Sequence, residues 1–270
     1  MQGRGVANKV CLGANSGPSR ATPRLVPPSL DLSLVRLLCL DAGNTVIFLD
    51  HGRLSGLLAA LGFTSSAEAL VVAEGEAKRL AETDGMLDVA WAYRDRPGAP
   101  AWGRMVGTIA QRAGFDEARV PELLEAAWRD HERLNLWSRV PEDLPPALDD
   151  LREAGVKVAL VSNSEGMLDR LFVELGIRER FDLLLDSGIV GVEKPDPRIF
   201  RLALDRFDVT PSAALHLGDV YATDILGARA AGIPHALLDP FGHYAGAHED
   251  VPRVPSAAHV AREITRLRSG

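Results

Sequence analysis

The chain is poor in the features that mark several protein classes. It has two cysteines, Cys11 and Cys39, which form neither a CxxC pair nor a metal-ligand spacing. No disulfide framework is expected, and a reducing compartment, the cytoplasm, is predicted. No apolar run approaches the roughly 18 to 20 residues that span a bilayer, so no membrane partner is expected. Positive charge is not in excess either: 30 Lys and Arg stand against 37 Asp and Glu, and the basic residues are dispersed among acids. That pattern argues against a nucleic-acid surface. G-x-S-x-G, P-loop, G-x-G-x-x-G and H-E-x-x-H strings are all missing, which removes the usual serine hydrolase, nucleoside-triphosphatase, dinucleotide and zincin readings. The histidines are assigned no metal: His216 reads as packed in a strand, and His243, His248 and His259 lie in a polar C-terminal region.

The N-terminal segment lacks acids altogether. Met1 to Leu30 carry four basic residues, many glycines, prolines and serines, and no sustained periodicity. Residues 1–33 are therefore expected to be a disordered extension, and the segment has no continuous apolar core of the secretory type.

What is present is sufficient for a substantial core, with 46% hydrophobic residues over 270 positions. The apolar run Leu34 to Leu40 ends at Asp41, which opens Asp41-Ala42-Gly43-Asn44-Thr45-Val46. A carboxylate at the mouth of a buried strand reads as a nucleophile, because open α/β sheets bind ligands at strand ends. Three later segments have the same form. Val158 to Val161 run into Ser162-Asn163-Ser164, a hydroxyl and amides at a helix start where an anion is favoured. Lys194 lies in the loop Gly191 to Pro197, ahead of an amphipathic helix. Ala213 to Leu217 lead to Gly218-Asp219, with Asp224 five residues on. Two carboxylates at one strand end suit a hard cation, Mg²⁺.

These four segments, in this order, resemble the haloacid dehalogenase (HAD) superfamily over residues 34 to 262. The resemblance implies a HAD-like, Rossmann-like α/β core with a mostly parallel sheet. It implies Asp41 as nucleophile, Ser162 as phosphate-binding hydroxyl and Lys194 as the neutralising cation. Asn44, Asn163 and Thr45 would contact substrate, the first two through their backbone amides, and Asp41, the Gly43 carbonyl, Asp219 and Asp224 would hold Mg²⁺.

One position departs from the pattern. Most phosphatases of the superfamily have a second Asp two residues after the nucleophile, where this chain has Gly43. The metal-binding carbonyl is kept and the general acid is lost, a loss worth roughly 10²- to 10⁴-fold with poor leaving groups. Asp50, His51 or a residue of the inserted domain could supply the proton, or the leaving group could need none, as in an acyl or aryl phosphate.

Residues 51–139 read as helical, with Leu54, Leu57, Leu58 and Leu61 on one face, a second stretch from Ala67 to Leu80, a third from Trp102 to Ala113 and a fourth opened by Pro121. The resemblance makes this block a cap inserted into a core of residues 34–50 and 140–270. Trp91, Tyr93, Arg94, Arg96, Trp102 and Arg104 are its candidate specificity residues, with packing and solvent exposure as the competing account. Lys78, four residues after Glu74, reads as a solvated surface lysine in an i,i+4 pair. After Pro141 helices and strands alternate from Leu144 to Leu238, the signature of βα units.

The expected function is a Mg²⁺-dependent phosphatase acting on a small phosphorylated metabolite through an aspartyl-phosphate. A catalytically weak phosphate- or metal-binding regulatory protein is the alternative, and a 2-haloacid dehalogenase or phosphonate hydrolase the third reading.

Overall fold

The computed structural model describes residues 30–269, so the expectation for residues 1–29 lies outside the described residues. Leu32 and Val35 are buried in the core, and a single turn over Leu32–Leu34 is capped by Asp31, so packed chain begins ahead of residue 33.

The elements run β1 (Leu37–Leu40), β2 (Phe48–Leu49), α1 (His51–Ala60), α2 (Ala67–Ala81), α3 (Ala99–Arg112), α4 (Val120–His131) and β3 (Trp137–Arg139). They continue with α5 (Leu144–Glu153), β4 (Lys157–Ser162), α6 (Leu168–Glu174), β5 (Leu183–Asp186), α7 (Ser187–Val190) and α8 (Arg198–Phe207). The last are β6 (Ala214–Gly218), α9 (Leu226–Ala230), β7 (His235–Leu238), β8 (Arg253–Val254) and α10 (Ala257–Arg268).

Six strands form a parallel sheet in the order β5-β4-β1-β6-β7-β8. The expected α/β class with a mostly parallel sheet is thereby borne out. β1 is apolar at every position because it is covered on both faces. Its side chains alternate: Leu38 and Leu40, with Val158 and Leu160 of β4, pack under α5, α6 and α10. Leu37 and Cys39, with Ala159 and Val161, pack under α8. From β1 the sheet grows through β4 and β5 on one side, and the chain then crosses back to add β6 on the other; such a switch point opens a crevice at the carboxyl ends of the strands. Asp41, Ser162 and Asp219 each lie at one of those three ends.

Helices α1 to α4 form a block with its own apolar cluster, built on Leu54, Leu58, Leu70, Val106, Leu123 and Trp128. Trp102 packs edge-on against Trp128 at 5.0 Å between ring centres. The antiparallel pair β2–β3, with Leu49 opposite Trp137, ties the block to the sheet. That ribbon and β8 are absent from the sequence reading, since strands of two or three residues carry no usable periodicity; α10 is absent from it too, although its buried face recurs at helical spacing. Among the described residues no helix is long and apolar enough to cross a membrane.

Candidate active site

The segment after β1 folds back on itself in one tight turn. Val46 and Ile47 both donate to the Ala42 carbonyl at 2.9 Å, and the Asn44 amide donates to the Ile47 carbonyl at 2.6 Å. Asn44 takes a left-handed conformation, φ 50°, which asparagine tolerates better than most residues. Its amide is therefore engaged within the turn, contrary to the expectation that it holds an anion. Its side chain does the connecting instead: Oδ1 accepts from Leu49 N–H at 3.1 Å, and Nδ2 donates to Glu74 and, at 3.2 Å, to Asp219.

Asp41 is buried, and one of its two oxygens is engaged. Oδ1 accepts from Ser162 Oγ at 3.1 Å and from Lys194 Nζ at 2.5 Å. Oδ2 accepts no hydrogen bond among the described residues. Lys194 also donates to Asp224 at 2.6 Å. Asn163 fixes it from behind: its side chain accepts from Lys194 N–H at 2.7 Å and donates to the Lys194 carbonyl at 2.8 Å. Gly218 admits Asp224 to the cluster, since a Cβ there would lie 2.2 Å from the Asp224 carboxyl carbon.

Asp41, Asp219 and Asp224 each offer a ligand atom within 4.8 Å of the others. Hard oxygen donors in that arrangement suit Mg²⁺. Glu74 joins the three aspartates, and Lys194 and Lys78, with His51 and His216, face them, so carboxylates outnumber lysines in the cluster. The imbalance is felt at Asp41: burial and the neighbouring carboxylates outweigh Lys194 and push its carboxyl up to about 7. Asp224 resists the same burial because Lys194 and His216 hold it well below the usual carboxylate range.

Lys78 corrects the sequence reading. It is 3% exposed, not solvated, and its ammonium lies 2.6 Å from Asp219 Oδ2 and 3.5 Å from Glu74. Despite burial, the Asp219 and Glu74 charges raise it well above the ordinary lysine value. Glu74 is held down to about 2, Lys78 and His51 overcoming its burial. The spacing of the pair was compatible with a surface ladder; the overlooked signal is phase. Glu74 and Lys78 fall among Leu70, Ala73 and Ala77 on the buried face of α2.

One cavity of about 220 Å³ joins these groups. Asp41, Gly43, Asn44, Ser162, Asn163, Lys194, Asp219 and Asp224 all line it. Thr45 does not, and its buried hydroxyl has no partner among the described residues. Asp50 and His51 are also outside the lining: Asp50 caps α1 through Arg53 N–H, and His51 pairs with Glu74 at 2.9 Å. Neither is placed to replace the missing acid. Of the six candidate specificity residues only Trp102 reaches the cavity. Arg94, Arg96 and Arg104 pair with Asp88, Glu132 and Asp84 near the surface, and Trp91 and Tyr93 pack in the block. Sequence reasoning also passed over Trp137, which lines the cavity and whose indole would lie 3.4 Å from a Cβ at Gly43.

A parallel α/β sheet with a buried carboxylate and an acidic cluster at its switch point defines a hydrolase-type site. The sequence pattern of the haloacid dehalogenase-like hydrolases matches residues 35–232, and the chain belongs to that family. The mouse haloacid dehalogenase-like hydrolase domain-containing protein 3 is 34% identical over 62% of this chain and 68% of its own length. A phosphoserine phosphatase of Thermus thermophilus is 32% identical over 76% of this chain and 89% of its own. Among solved structures, a HAD-hydrolase from Bacillus subtilis bound to magnesium superposes with a TM-score of 0.62 at 16% identity. It covers 85% of this chain and 98% of that one, a likeness of fold.

Proposed function

We propose that the protein is a Mg²⁺-dependent phosphatase that hydrolyses a small phosphorylated metabolite through an aspartyl-phosphate on Asp41. The observation that carries this reading is the unengaged Oδ2 of Asp41, a residue that lines one cavity together with Ser162, Lys194 and an aspartate cluster able to hold a divalent cation.

In this reading Ser162 and Lys194 hold the Oδ1 edge of Asp41, which leaves Oδ2 to attack phosphorus. The P–O bond to the leaving group breaks, and water later cleaves the acyl phosphate, regenerating the carboxylate and releasing phosphate. Lys194, positioned by Asn163, faces the phosphoryl oxygens through both steps. Asp41, the Gly43 carbonyl and Asp219, with Asp224 behind them, would hold Mg²⁺, which when bound neutralises phosphoryl charge. The helical block serves as a cap that excludes water and selects substrate. With glycine at position 43, the leaving oxygen departs without a proton from that residue, which favours activated leaving groups.

The reading is tested by phosphate release from a panel of esters and acyl phosphates with and without Mg²⁺, with Asp41→Asn as control. Mg²⁺-dependent release abolished in the variant is expected. No release from folded protein across the panel would overturn it in favour of a phosphate- or metal-binding role.

A further inference from the structure

Leaving-group chemistry is written into the wall that the helical block turns towards the site. Ala81, Met86, Ala101, Trp102 and Met105 line the cavity on that side, and Leu168 adds to them from the core. Met86 and Met105 are only partly buried, so their thioether chains are available as contact surface. The Trp102 N–H is engaged with His131 Nδ1 at 3.1 Å, which leaves its ring as an apolar surface. Asn135 contributes one side-chain amide, and its oxygen already accepts from Trp137 N–H at 2.8 Å.

Charge recognition is equally limited. Among the described residues no arginine lines the cavity, and both lysines there are held by two carboxylates each. Glu165 and Glu193 add negative charge to the lining. A leaving group bearing a carboxylate or a second phosphate would meet repulsion; the hydroxyls of the lining, on Ser162, Ser164, Ser187 and Thr223, belong to the core, so a polyol placed against the helical block would turn hydroxyls towards methyl and ring carbon.

The missing acid points the same way. With glycine at position 43 and the Trp137 indole beside it, no carboxyl there can protonate the departing group, which favours one that is stable as an anion. A phenol, with a pKa of roughly 10, meets that need far better than an aliphatic alcohol, whose pKa lies near the roughly 15.7 of water.

From these two features we infer that the substrate is an aryl phosphate monoester, with the aromatic ring seated against Met86, Trp102 and Met105. The inference rests on the phosphatase reading above and specifies its substrate class. Asp41 Oδ2 forms the bond to phosphorus, the bond from phosphorus to the phenolic oxygen breaks, and its electron pair leaves on the phenolate, which takes its proton from solvent after release. Methionine and tryptophan supply a deformable apolar surface to such a ring.

The experiment compares kcat/KM for phenyl phosphate, benzyl phosphate, acetyl phosphate, glucose 6-phosphate and phosphoserine. Benzyl phosphate keeps the ring but leaves as an alkoxide, and acetyl phosphate keeps an activated leaving group but lacks the ring. Phenyl phosphate is expected to exceed glucose 6-phosphate and phosphoserine by about 100-fold or more, and benzyl phosphate by about 10-fold or more. Met105→Asp and Met86→Asp should each lower the phenyl-to-acetyl ratio by about 10-fold. A sugar phosphate or phosphoserine turned over as well as phenyl phosphate would overturn the inference and leave the phosphatase reading standing. So would an unchanged phenyl-to-acetyl ratio in both folded variants. Absence of phosphate release from all five would instead defeat the phosphatase reading itself.

Discussion

Lys78 of the helical block places its ammonium 2.6 Å from Asp219 Oδ2 at the end of a core strand. The contact joins the two parts of the molecule at the acidic cluster. Asp219 is also one of the three aspartates that could hold a divalent cation, so the lysine and the metal would act on one carboxylate.

Breaking a buried ion pair from one side leaves an uncompensated charge, at a cost of about 3 kcal/mol or more. Lys78→Met should therefore lower stability by that amount in chelator and regain most of it in Mg²⁺. Thermal unfolding with and without Mg²⁺ measures both. Equal stability of variant and parent, with equal Mg²⁺ shifts, would contradict the relationship.

Gly43→Asp should restore acid help to poor leaving groups. A Cβ at this position meets the Trp137 ring at 3.4 Å, an ordinary contact, so the backbone can accept the change. Benzyl phosphate turnover is expected to rise by about 10-fold or more while phenyl phosphate changes little. A fall in both, from folded protein, would show that the indole and the carboxylate cannot share the space.

The Glu74 and His243 network predicts loss of stability on acidification. His243 Nδ1 lies 3.2 Å from the Lys78 ammonium and Nε2 lies 3.0 Å from the Val71 carbonyl, so the ring is held neutral. Burial and Lys78 lower it to about 4. A histidine depressed in the folded state contributes stability above its unfolded value, roughly 6.5, and that contribution is lost as pH falls towards 4. We expect about 2 kcal/mol across that window after allowance for solvent screening. Glu74, held at about 2, adds a second loss between the unfolded carboxyl value and pH 2. Denaturant unfolding from pH 7.5 to 4 should show the first loss, and His243→Asn should flatten it.

Asp219→Asn removes one charge from the cluster and should weaken Mg²⁺ binding by about 10-fold or more; Lys78 keeps Glu74 at 3.5 Å as its counter-charge, so the variant should fold at some cost in stability. Calorimetric titration with Mg²⁺ gives the answer. Undiminished affinity would place the cation elsewhere.

The parts of this site that were legible in the sequence share a physical origin. Asp41, Ser162 and Asp219 each end a buried parallel strand, where an unbroken apolar run is interrupted by a polar residue. That pattern survives in one dimension. Lys78 did not, because an i,i+4 pair has the same spacing on a wet helix face and a buried one. Trp137 was hidden in β3, whose pairing with β2 is a long-range register. The Asn44 amide was misread because a turn closing on Ile47 consumes the donor that an anion would need.

The central claim is that Asp41 carries the phosphoryl group. It is tested most directly by acid-quenching the enzyme during turnover of phenyl phosphate in Mg²⁺ and mapping the modified peptide by mass spectrometry. The account predicts a phosphorylated peptide containing Asp41, formed in the parent and absent in Asp41→Asn. Turnover that persists in Asp41→Asn, or a phosphoryl group found on another residue, would contradict it.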